Sequence, residues 1–111
     1  MNLKRASALF LLGLSSALFS ATGCGSSATE LCDTKCDCEG CNDREYDKCI
    51  VDTDAAIDTA SAYDCSDKYD ALEECRLKRA RCDDRNWHLE GDDCSGERKV
   101  LSDCIKDGSR L

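Results

Sequence analysis

Four cysteines fall within ten positions, as Cys32-x3-Cys36-x-Cys38-x2-Cys41. As thiolates they would make a soft ligand set for Zn²⁺, Cu⁺ or an iron–sulfur centre. Oxidised, the same four sulfurs would close two disulfides among themselves, and the sequence leaves all three connectivities open. Their spacing matches none of the established zinc or ferredoxin runs. The disulfide reading therefore leads, with metal binding by Cys32, Cys36, Cys38 and Cys41 as the alternative. Cys38-Glu39-Gly40-Cys41 is formally a Cys-x-x-Cys redox pair. That chemistry needs the pair to open a helix after a strand, within a βαβ unit, and no strand pattern surrounds it. His88 is the chain's single histidine and lies beside Trp87 in a loop-like stretch. No Ser/His/Asp or Cys/His arrangement assembles around it. Asp52-Thr53-Asp54 and Asp83-Asp84 lack the central Gly and closing Glu of a calcium loop. The expectation is a protein without catalytic residues or cofactor, and not an enzyme.

The first residues carry an address. Lys4 and Arg5 form a basic head, and an apolar run follows from Ala6 to about Phe19, ending in Ala21-Thr22-Gly23-Cys24. The run is interrupted by Gly13, Ser15, Ser16 and Ser20 and falls short of the roughly 20 apolar residues that span a bilayer. A plain secretory signal, cleaved without lipid, uses the same head and apolar run. Residues 1–24 resemble a bacterial lipoprotein signal with its lipobox, although Ala21 stands where that family usually has Leu. The resemblance implies that residues 1–23 are removed and that Cys24 becomes the first residue, carrying diacylglycerol on sulfur. Its new amino terminus would take an acyl chain such as palmitate. Two or more chains anchor a protein stably. Gly25 at the next position, where Asp would retain the protein at the inner membrane, implies the outer membrane of a bacterial cell envelope.

Without residues 1–23 the chain would have 88 residues and a charge of −10, because Lys4 and Arg5 leave and no acid does. Only 11 of those 88 are Leu, Ile or Val, a composition that usually means disorder. Sulfur is the remedy. Of the chain's 11 cysteines, setting Cys24 aside for lipid leaves ten, an even number in a short exported chain. Each disulfide contributes about 2–4 kcal/mol, mainly by restricting the unfolded chain. The acidity disfavours nucleic acid and anionic lipid head groups and favours an envelope partner with a basic surface.

Proline is absent and the second half is rich in helix formers, so the expected fold is all-α: a disulfide-stapled bundle of about three short helices over residues 32–108. Residues 24–31 read as a polar linker to the lipid, and 32–41 as loop or an irregular turn. The first helix is expected over 43–62, capped by Asn42 or Asp43, with Tyr46, Cys49, Ile50, Thr53, Ile57 and Ala60 inward. The second spans 66–84, with Tyr69, Leu72, Cys75 and Cys82 near one face. After a loop at 85–94, the third spans 96–107, with Val100, Leu101, Cys104 and Ile105 as its stripe. Trp87 is expected to pack at the end of the core.

Cys65–Cys75 and Cys94–Cys104 are both Cys-x9-Cys, and both begin Cys-Ser. Ten helical residues rise about 15 Å, so two antiparallel helices would bring Cys65 level with Cys104 and Cys75 level with Cys94. The same step turns the chain so that the two cysteines of one helix end about 80° apart. The rungs therefore need a tilted crossing or cysteines at frayed ends. The arrangement resembles the twin Cys-x9-Cys helical hairpin of small mitochondrial proteins, from which only the hairpin geometry is carried over. Counting outwards from a turn near Asp64 puts Cys49 level with Cys82, which sets the third expected bridge.

Overall fold

A computed structural model of the chain describes residues 27–111. The expected signal segment and Cys24 lie outside the described residues. The described part is an all-α bundle of short helices held by five disulfides, with one small hairpin. Helix α1 covers Ser27–Glu39, α2 Asp43–Ala62, α3 Ser66–Arg79 and α4 Ser95–Gly108. Strands β1 (Arg81–Asp83) and β2 (Asn86–His88) lie between α3 and α4.

Helix α1 corrects the linker and loop expected before residue 42. Ala28, Leu31 and Cys32 are its buried residues, one apolar stripe at helical spacing once cysteine is counted as apolar. It ends at Gly40, whose φ of +70° reverses the chain at little cost because glycine has no Cβ. Helix α2 then opens with a capping box. The Asn42 side chain accepts from the Glu45 amide at 3.0 Å, and the Glu45 carboxylate accepts from the Asn42 amide at 2.9 Å. Tyr46, Cys49, Ile50, Thr53, Ile57 and Ala60 are the residues of α2 that are not exposed, while Asp47, Asp52, Asp54 and Asp58 face solvent.

Antiparallel pairing is built in by the bridges. Cys32–Cys49 and Cys36–Cys41 close α1 onto α2 around the Gly40 turn. Cys65–Cys104 and Cys75–Cys94 join α3 to α4 as two rungs running in opposite chain directions. The 80° mismatch disappears because Cys65 and Cys94 are the N-cap residues, outside the helical dihedrals, with Cys94 at φ 58°. At the Asp64 turn, also with positive φ, Ala60, Cys65 and Tyr69 are buried against Ile57, Leu101, Cys104 and Ile105. The far end of α4 reaches the same place, where Gly108 lies so close to Tyr63 that a Cβ would come within 3.0 Å of it.

Helix α3 stops at Arg79, five residues before the expected end, and the chain forms a tight antiparallel hairpin. Arg81 pairs with His88, Cys82 with Trp87 and Asp83 with Asn86, across a two-residue turn with positive φ at Asp84 and Arg85. Paired residues share a face. Cys82 and half-buried Trp87 lie on one face and are tied to α1 by Cys38–Cys82, while Arg81, Asp83, Asn86 and His88 lie on the other. Val100, expected in the α4 stripe, is 49% exposed.

Candidate functional site: a sulfur framework and a cation-rimmed groove

All ten cysteines from Cys32 to Cys104 are oxidised in pairs. This removes the thiolate metal site proposed for Cys32, Cys36, Cys38 and Cys41, since a disulfide sulfur carries no negative charge and is a poor ligand. It also corrects two pairings. The four cysteines of the N-terminal cluster do not close on themselves: Cys36 takes Cys41, but Cys32 reaches Cys49 and Cys38 reaches Cys82. Cys49 and Cys82 are therefore not partners. The reason is α1, an antiparallel neighbour that brings Cys32 level with Cys49 across the Gly40 turn. Cys82, displaced onto a strand by the early end of α3, then faces Cys38.

The framework is also the core. Of the eight buried apolar residues among those described, three are half-cystines: Cys32, Cys65 and Cys94. The buried Thr53 hydroxyl donates to the Cys32 sulfur, 3.7 Å away. At the other end of α1, the Arg85 guanidinium donates to the Glu39 carbonyl at 3.2 Å, satisfying a helix C-terminal acceptor and placing a cation at the negative end of the dipole.

Two places depart from this plan. Glu73, on α3, is only 4% exposed, and its Oε1 has no hydrogen-bond partner among the described residues. Burial pushes its carboxyl above the usual carboxylate range, against a hydrogen bond from Ser27 at the start of α1. Tyr69 beside it on α3 is pushed up to about 12, again chiefly by burial.

The second is an open groove of about 540 Å³ between α3 and α4. Leu72, Leu101 and Ile105 form its apolar part, and Arg76, Arg98 and Lys106 stand around it. None of the three cations has an ion pair within 4.0 Å among the described residues. Elsewhere the surface cations are mostly spent on neighbouring acids, as in Lys48–Asp52, Lys78–Glu74 and Lys99–Asp103. The cleft between α1 and α2 is of that kind, with Lys35 and Lys48 facing Glu39 and Asp52. Net charge gave no hint of the groove, because its cations come from two separate helices.

These features define a small, cysteine-rich, disulfide-stapled all-helical protein. Compared with known proteins, the chain matches no family model, no curated protein and no solved structure. No helix among the described residues is long and apolar enough to cross a membrane.

Proposed function

We propose that the chain is a non-catalytic protein-interaction module, tethered at a bacterial envelope membrane by lipid on Cys24. The observation that carries the reading is the complete oxidation of the ten cysteines from Cys32 to Cys104, which fits an exported, oxidising setting and leaves a rigid body without thiol chemistry. Rigidity lowers the entropy cost of docking. The docking surface is the α3–α4 groove. Its apolar part and unpaired cations call for an acidic segment with an apolar face on a neighbouring envelope protein. The chain's overall charge of −8 suits a basic partner, but the local chemistry of the groove is the reverse, and local complementarity sets the contact.

Affinity capture from detergent-solubilised envelopes tests this with the wild type and Arg98→Glu/Lys106→Glu, both exposed cations of the groove. The wild type captures a partner that the variant loses, at unchanged melting temperature. Identical capture by both, or none by either, overturns the groove. Cys24→Ala releases the protein from membranes; retention of the variant overturns the tether.

A further inference from the structure

The outward face of the β1–β2 hairpin gathers a second set of chemically able side chains. Asp83, His88 and Glu90 each place a ligand atom within 4.8 Å of the other two. The Asp83 carboxylate and His88 Nε2 are 3.5 Å apart. Two ligands held at about 2.1 Å by one tetrahedral ion are separated by about 3.4 Å. The Asp83–His88 spacing matches that value, and the ligand atom of Glu90 lies within 4.8 Å of both. That spacing is set by the hairpin register, which puts Asp83 and His88 diagonally across one face, and by the two positive-φ residues that close the turn.

The imidazole is also oriented. His88 Nδ1 lies 3.1 Å from the Asn86 carbonyl oxygen. A carbonyl only accepts, so Nδ1 carries the proton in this contact, which leaves Nε2 as the ring nitrogen that faces Asp83 and is available to an ion. Metal-binding histidines are fixed in this way by their second nitrogen. The hairpin itself cannot drift, because Cys82 on its inner face is bonded to Cys38 of α1. Glu90 holds Arg81 at 3.4 Å through one oxygen, and a carboxylate has a second to offer. The other convergent set, Cys75, Cys94 and Glu97, is not comparable, because both its sulfurs belong to a disulfide.

The geometry points to a surface site for one divalent first-row transition ion, zinc in the first instance, bound by Asp83, His88 and Glu90 with water completing the shell. One imidazole with two carboxylates suits such an ion better than calcium, which takes oxygen ligands alone. The site is independent of the α3–α4 groove and of the membrane tether.

The test is a Zn²⁺ titration of the oxidised, tag-free full chain. It is followed by calorimetry and by the imidazole resonances of its single histidine, which need no assignment. One ion binds per chain, at micromolar concentration, and the His88 resonances shift in step with it. Asp83→Asn and His88→Gln each weaken binding at least tenfold while the five disulfides, counted by mass, stay formed. An unmoved imidazole at 100 µM Zn²⁺ overturns the site, and so does affinity retained in His88→Gln.

Discussion

Removing Cys65–Cys104 is the sharpest perturbation of the framework. The bridge spans 39 residues, but Cys75–Cys94 lies inside that loop and already shortens it by 19. About 20 residues are therefore released into the unfolded ensemble, worth about 3.3 kcal/mol by chain entropy. Cys36–Cys41 spans five residues, worth about 2.1 kcal/mol on the same scale. Burial widens the gap, because Cys65 is 0% exposed in the main apolar cluster and its loss opens a cavity. The variants Cys65→Ala/Cys104→Ala and Cys36→Ala/Cys41→Ala separate the two effects. Urea unfolding followed by helical circular dichroism reads them, with a slope near 1 kcal/mol/M for a body of this size. The midpoint falls by about 3 M or more in the first and by about 2 M in the second. Equal losses, or the larger loss at Cys36–Cys41, would refute the assignment of the core to the α2–α3–α4 junction.

Two further substitutions test local claims. Gly40→Ala places a Cβ at φ +70°, 2.5 Å from the Arg85 guanidinium, and should cost about 1–2 kcal/mol in chemical denaturation. A neutral result would mean the α1–α2 turn is not as described. Glu73 has a carboxyl raised above its unfolded value, so its neutral form favours the fold: stability is fullest below the ordinary carboxylate range and is lost as pH rises through the raised value. Glu73→Gln removes that dependence and should stabilise the protein at pH 7 by about 1 kcal/mol. Melting curves of the two proteins converge on acidification; parallel curves across pH would show that Glu73 is not buried.

Helix α2 was legible in the sequence because its signals agree: a cap at Asn42, an apolar residue every three or four positions, and acids on the opposite face. The α3–α4 rungs were legible because Cys-x9-Cys occurs twice with the same caps. Helix α1 was obscured because its inward residues are Ala28, Leu31 and Cys32, of which only Leu31 is a large hydrophobe. The hairpin gives almost no local signal. Its turn is Asp84-Arg85 instead of the usual glycine pair, and the strands are three residues each. Both misreadings propagated to the bridges, since a pairing inferred from levels along helices fails once an unseen helix lies alongside. The groove and the Asp83–His88–Glu90 face were illegible for a similar reason. The first joins side chains from two separate helices, and the second depends on the register of a hairpin the sequence does not announce.

Sulfur standing in for a large apolar interior is the claim on which the rest depends. Thermal unfolding before and after full reduction tests it directly. The oxidised protein should melt in one cooperative step and the reduced protein should show none, its helical signal declining gradually from low temperature. A reduced, metal-free chain that still melts cooperatively near the same temperature would contradict the account.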